Sequence, residues 1–281
     1  MNKRIIKQLI TQALIEDLGI QGDITTDSIF SKTDNAVVEA EFLMKSPGIL
    51  SGLDIVEMVF NDIDHSIEIL KLYNDGDFVK KGKIILKLKG KASSLLIGER
   101  LALNFLQRMS GIATKTNKLV KKIEAYGVKL VDTRKTTPNF RVFEKLAVKA
   151  GGGFNHRFGL YDMVMIKDNH IKAAGGIKEA VARVRANNSH SIKIEIEVQD
   201  IDQLKSAVDS KVDIIMLDNF SPSEVKPLLK LIPDGIIVEC SGNIDEKNII
   251  DYAKVGPDII SMGSLTHSYS SLDISMAIIT E

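Results

Sequence analysis

The sequence predicts an α/β protein: an incomplete parallel β/α barrel of six or seven strands, preceded by a separate α/β sandwich-like domain. Three observations predict it. Beyond Gly127, short apolar runs alternate with stretches of helical period, the pattern of right-handed βαβ units on a parallel sheet. Six of those runs end in polar or glycine residues, as barrel strands do where their C-terminal ends meet at one mouth. Before Gly127, residues 36–97 are short apolar runs broken by turns such as Asn74-Asp75-Gly76, which reads as β-rich.

Taken in order, Ile5, Ile6, Leu9, Ile10, Ala13 and Leu14 recur at helical spacing, so 3–17 is expected to be an amphipathic helix that Gly19 and Gly22 end. After the β-rich stretch, 98–126 carries a helical stripe of Leu101, Phe105, Leu106 and Met109, with Ser110-Gly111 as a break or a close packing point. Barrel strands are expected at 128–131, 163–166, 192–198, 214–217, 236–238 and 259–262, with helices at 141–150, 176–187, 201–210, 222–231 and 245–254. This segment, roughly 150 residues, falls short of the ~250 typical of eight units, hence an incomplete barrel. The expected domains are 1–112 and 113–267, with 268–281 a helix returning to the first.

Composition narrows the function. The 281 residues carry 37 basic and 37 acidic side chains and are 44% hydrophobic, enough for a large core. A formal charge of zero argues against a nucleic-acid surface. One cysteine, Cys240, excludes an intrachain disulfide framework and fits a reducing compartment. No apolar run is long enough for a membrane span. After Met1-Asn2-Lys3-Arg4 the apolar run is broken by Lys7, Gln8, Gln12, Glu16 and Asp17, too soon for a signal peptide. A cytoplasmic protein is expected.

The chemistry is concentrated in residues 132–170. Arg134, Lys135, His156, Arg157 and Lys167 each follow or end an apolar run. Arginine's fork pairs bidentately with carboxylate or phosphate, while lysine acts as a point charge. Together at one mouth they suit a heavily anionic small molecule. Glu197 and Asp218 end the third and fourth strands. They could neutralise these cations, hold a hard cation such as Mg²⁺ with waters and substrate phosphate, or stabilise positive charge on a sugar ring. Ser241-Gly242-Asn243 and Met262-Gly263-Ser264 close the last two strands, where small residues admit a phosphate to backbone N–H groups. Gly151-Gly152-Gly153 is read as the turn that places His156 and Arg157. Cys240 lacks an evident activating base, which favours buried packing over a nucleophilic role.

At these residues the chain resembles the quinolinate phosphoribosyltransferase family. The matching motifs run nearly end to end: Glu16-Asp17-Leu18-Gly19 with 22–26, then 99–104 running into 110–114, then Asp132-Thr133-Arg134-Lys135-Thr136-Thr137-Pro138. Residues 151–157, 159–163, Ile166-Lys167-Asp168-Asn169-His170-Ile171, 195–198, 217–219, 239–243 and 261–264 follow. Asn139-Phe140 departs from the Gly-Leu expected after the proline, at positions that are not expected ligand contacts.

The resemblance implies an enzyme that joins quinolinate and phosphoribosyl pyrophosphate, with Mg²⁺, to give nicotinate mononucleotide, pyrophosphate and CO₂ in de novo NAD synthesis. It implies quinolinate binding by Arg134, His156, Arg157 and Lys167, with Thr133 in the same substrate site and Lys135 shared between substrates. Glu197 and Asp218 would face the ribose and its metal, and 241–243 and 262–264 the 5′-phosphate. Lys135, Lys167, Glu197 and Asp218 are the catalytic candidates. Arg100 matches an arginine that reaches a neighbouring subunit's site, so a homodimer or higher oligomer is expected.

Three other readings compete. Lys167 at a strand end could form a Schiff base, as in an aldolase. A relative of the family could take another nitrogenous ring as acceptor. Residues 75–82 resemble half of a biotinyl or lipoyl carrier domain, with Lys45 as the attachment point.

Overall fold

A computed structural model of the chain describes residues 3–30 and 35–279. Residues 1–2 and 31–34 of the expected N-terminal domain, and 280–281 of the C-terminal stretch, lie outside the described residues. The strands, in chain order, are β1 (Val37–Met44), β2 (Gly48–Ile49), β3 (Glu68–Lys71), β4 (Phe78–Val79), β5 (Ile84–Lys91), β6 (Lys129–Val131), β7 (Val164–Ile166), β8 (Ile194–Val198), β9 (Ile214–Asp218), β10 (Ile237–Ser241), β11 (Ile259–Ser261) and β12 (Ile274–Ile279). The chain forms two compact units: 1–117 with 137–152 and 268–281, and 118–136 with 153–267. Residues 137–152 thus fall in the first unit although they interrupt the segment expected to form the barrel.

In the first unit the sheet runs β12-β1-β5-β3, all antiparallel. Period-two alternation builds it. Ala40, Phe42 and Met44 of β1 and Leu86 and Leu88 of β5 are buried, and Glu41 on the other face pairs with Lys87 opposite at 2.7 Å. The core continues into helix Leu53–Ile63, whose Phe60 meets Phe42 edge to face at 6.2 Å. That helix lies inside the stretch read as β-rich. Its Leu53, Val56, Val59 and Phe60 are buried at helical spacing, but the surrounding apolar residues are so dense that the period is obscured. The Asp75 carboxylate accepts the Gly52 and Leu53 N–H groups and so caps it. Part of the carrier-like segment 75–82 is thereby a fold element.

The expected C-terminal helix is instead strand β12. Ile274 and Met276 are buried opposite Met44 and Phe42. Residues 274–279 hold three isoleucines, which favour a pleated, half-buried surface, and the free edge of β1 supplies the hydrogen bonds. The return to the first unit holds; the element type does not.

Helix Ala92–Ile123 begins six residues before the expected 98 and is unbroken at Ser110-Gly111. The pair is a close packing point: a Cβ on Gly111 would stand 2.2 Å from the Ser270 carbonyl oxygen. Arg108 from the same helix pairs with the fully buried Glu144 of helix Arg141–Ala150 at 2.6 Å and lies over the Phe140 ring at 4.5 Å.

The second unit holds a parallel sheet in the order β6-β11-β10-β9-β8-β7. Consecutive strands neighbour one another from β7 to β11, and β11 then pairs with β6. The order is that of a barrel left open between β6 and β7, with a single bridge from Val131 to Phe154 beside β6. β8, Ile-Glu-Ile-Glu-Val, is buried along its whole length, and its glutamates occupy one face while the β-branched residues occupy the other. Short helix Asp168–Ala174 follows β7 directly and was not foreseen; the His170 Nδ1 accepts the Lys167 N–H at its start. Among the described residues no helix is long and apolar enough to cross a membrane.

Candidate active site

Alternation along the parallel strands assembles the site. A cavity of about 430 Å³ opens at the C-terminal end of the sheet, lined by Met165 on β7 and Lys167 just after it, Glu197 on β8, Met216 and Asp218 on β9, Glu239 and Ser241 on β10, and Ser261 on β11. Spacing of two recurs because only one face of each strand points inward. The register sets Glu197 beside Met216 and Asp218 beside Ser241. Thr133, Arg134 and Lys135 after β6, with His156 and Arg157, complete the wall.

The cations retain unused donors. Arg134 Nε is buried without a hydrogen-bond partner. The Arg157 guanidinium makes only long hydrogen-bond contacts among the described residues, from Nη1 to the Met163 carbonyl at 3.3 Å and from Nη2 to the Met165 sulfur at 3.5 Å. Burial, and then the like charge of Arg134, lower the Arg157 pKa from its ordinary value. Two guanidiniums that repel each other and hold idle donors form a site for an anion.

Lys167 Nζ lies 2.6 Å from Glu197 Oε2. An ammonium held by a carboxylate is a donor rather than a nucleophile, which weighs against the Schiff-base reading. The Asp218 pKa is raised, first by burial and then by the Glu197 charge. One Asp218 oxygen accepts the Asn219 side-chain amide at 2.6 Å. Glu197 Oε1 and Asp218 Oδ1 are the oxygens left over. A carboxylate whose proton affinity is raised by burial and by the neighbouring Glu197 charge is relieved by a cation beside it, so this donor set fits Mg²⁺.

The loops after the last strands brace these groups. Asn243 donates to Asn219 Oδ1 at 2.9 Å, and a Cβ on Gly242 (φ +87°) would stand 2.2 Å from that oxygen. Gly263 approaches the stem of Lys135, and the Thr266 hydroxyl donates to the Lys135 carbonyl at 2.8 Å. Asp132, fully buried, accepts the His156 N–H at 3.0 Å and the Asn155 amide at 2.5 Å.

Beneath the cavity His156 Nε2 stands 3.1 Å from Glu195 and 3.3 Å from Glu239, both buried. Burial alone would lower the His156 pKa; its contacts with Glu195 and then Glu239 outweigh burial and push it up to about 10. Burial raises the Glu195 carboxyl. The Arg157 N–H aimed at Nδ1, 2.7 Å away, places the ring proton on Nε2.

The residues matched by family models decide the assignment. The C-terminal domain of quinolinate phosphoribosyl transferase matches residues 112–277 and its N-terminal domain matches 23–110. The chain belongs to the quinolinate phosphoribosyl transferase family. A relative from Bacillus subtilis, a probable nicotinate-nucleotide pyrophosphorylase (carboxylating), is 45% identical over 98% of this chain and 94% of its own. One of the same description from Methanocaldococcus jannaschii is 42% identical over 99% of both chains. The solved nicotinate-nucleotide pyrophosphorylase from Francisella tularensis superposes with a TM-score of 0.93 at 41% identity, covering 99% and 98%.

In this family member the structure brings together Thr133, Arg134, Lys135, His156, Arg157, Lys167, Glu197, Asp218 and Ser241 on one cavity. Gly242, Asn243, Met262, Gly263 and Ser264 are not among its lining residues. Arg100 is exposed on helix Ala92–Ile123. Met165, Met216, Glu239 and Ser261 also line the cavity, with Glu195 behind them, and none of these is expected there from the motifs alone. Their signal was the period of two: each stands two residues from a site residue on its strand, or at an inward strand end. Cys240 is fully buried, and burial pushes its thiol up to about 12, as expected of a packing residue.

Proposed function

We propose that this chain transfers the phosphoribosyl group of phosphoribosyl pyrophosphate to the ring nitrogen of quinolinate, with loss of CO₂, giving nicotinate mononucleotide and pyrophosphate in de novo NAD synthesis. The observation that carries this is the convergence of Arg134, Lys135, Arg157 and Lys167 on a cavity that also holds Glu197 and Asp218. Quinolinate brings two adjacent carboxylates, which match guanidiniums with idle donors. The ribose brings positive charge as its C1–O bond breaks, which matches carboxylates.

In this scheme Arg134 and Arg157 hold the dicarboxylate so that the pyridine nitrogen faces C1. Lys135, braced by Gly263 and Thr266, lies between the two substrates. The nitrogen lone pair forms the N–C1 bond as pyrophosphate departs with the C1–O electron pair, and Glu197 and Asp218 stabilise the oxocarbenium-like charge at the ring. Mg²⁺, when bound at Glu197 and Asp218 with substrate oxygens, supplies charge neutralisation for the leaving pyrophosphate. The new pyridinium accepts the electron pair released as the 2-carboxylate leaves as CO₂, and a solvent proton replaces it. Lys167, held by Glu197, stabilises the carboxylates until that step.

The binding claim is tested by calorimetry with quinolinate and with nicotinate. Quinolinate should bind at least about tenfold tighter, the value of one charge-assisted pair; equal affinities would remove the dicarboxylate assignment. We place Arg100 in the site of a second copy in a homodimer. Mixing Arg100→Ala with Asp218→Asn protein should then regain activity through hybrid dimers with one intact site, and a mixture no more active than its components would count against this arrangement.

A further inference from the structure

Glu195 and Glu239 lie one inward step below Glu197 and Ser241 on their strands and are 0% and 1% exposed. Their Oε2 atoms converge on His156 Nε2. On the other side of the ring, Nδ1 accepts the Arg157 N–H, and the His156 N–H is held by Asp132. Both ring nitrogens of His156 are therefore engaged by protein. The ring meets the cavity but has no nitrogen to offer a ligand without breaking one of these contacts. Arg157, next in the chain, carries the guanidinium with idle donors.

We infer that Glu195 and Glu239 are positioning residues for the substrate dicarboxylate, acting through His156 to fix the backbone of Arg157 and hence the aim of its guanidinium. This rests on the function proposed above. The carboxylates have a second effect. Arg134 and Arg157 repel each other, and the Glu195 charge offsets that repulsion at Arg157. Glu195 Oε1 and Glu239 Oε1 have no hydrogen-bond partner among the described residues, an arrangement that costs stability and is retained where a polar group serves a site. Sequence alone treats the two as strand polar residues; two strands and a loop must meet before their common target is visible.

The test is steady-state kinetics of Glu239→Ala, Glu239→Gln, His156→Ala and the double variant Glu239→Ala/His156→Ala. Glu239→Ala should raise the quinolinate KM about tenfold, with the phosphoribosyl pyrophosphate KM within about twofold and a much smaller change in kcat. Glu239→Gln, which can still accept from Nε2, should recover most of the loss. The double variant should be no worse than His156→Ala, because the residues act in series. If Glu239→Ala does not fold, Glu239→Gln decides through the ¹⁵N-coupled His156 Nε2–H resonance: a persistent, slowly exchanging proton supports the contact, and its absence in wild type overturns it. An equal rise in both KM values, or additive losses in the double variant, overturns the positioning role. Wild-type protein without quinolinate turnover removes the function on which it rests; wild-type turnover with an unshifted quinolinate KM in Glu239→Ala overturns the positioning role alone.

Discussion

Arg157→Ala should raise the quinolinate KM and dissociation constant by on the order of 100-fold, leaving the affinity for phosphoribosyl pyrophosphate within a few-fold. The guanidinium is half-buried in the cavity wall, and its hydrogen-bond contacts among the described residues are a 3.3 Å bond to a carbonyl and a 3.5 Å contact with sulfur. Little is therefore lost from the free protein when it is removed, and nearly all of the effect falls on the complex. Truncating one partner of a buried charge pair costs roughly 2–5 kcal/mol, and about 2.7 kcal/mol, in the lower half of that range, corresponds to the expected 100-fold. Arg157→Lys should recover little, because a lysine cannot present the planar fork. Titration of quinolinate into the variant checks the binding effect directly, and an unchanged dissociation constant would remove Arg157 from the substrate site.

Asp218→Asn should lower kcat by about 100- to 1000-fold with the quinolinate KM nearly unchanged. The substitution keeps the shape of the side chain and removes its charge. If the carboxylate acts on charge that develops only as the C1–O bond breaks, its removal costs about 3–4 kcal/mol in the transition state and little in the ground state. The same residue should set an acid limb. Burial and the Glu197 charge raise the Asp218 pKa above that of an ordinary aspartate. The active carboxylate is lost as pH falls through that raised value. A pH–kcat profile should show activity falling at higher pH than an ordinary aspartate would give, and the Asn variant should lack that limb.

The barrel was legible because its signal is local. A strand with one face inward leaves a polar residue at its end, and six such ends in sequence point to one mouth. The cations at 134, 135, 157 and 167 were legible for the same reason, and they line one cavity. What escaped depends on partners distant in sequence. β12 is a strand because β1 offers an edge more than two hundred residues earlier, and nothing within 268–281 reports that edge. Helix Leu53–Ile63 was hidden by apolar density and is fixed at its start by Asp75, 22 residues on. Glu195 and Glu239 become significant only when β8, β10 and the loop at His156 are brought together. The glycine triplets near 242 and 263 were expected at phosphate; the contacts they display are bracing ones, to Asn219 and Lys135.

The central claim is a reaction, and one comparison tests it most directly. The protein is incubated with Mg²⁺ and phosphoribosyl pyrophosphate, with either quinolinate or nicotinate as acceptor, and nicotinate mononucleotide and CO₂ are measured together. The account predicts the two products in equal amounts from quinolinate and no nucleotide from nicotinate. Nucleotide formed from nicotinate, with none from quinolinate, would contradict it.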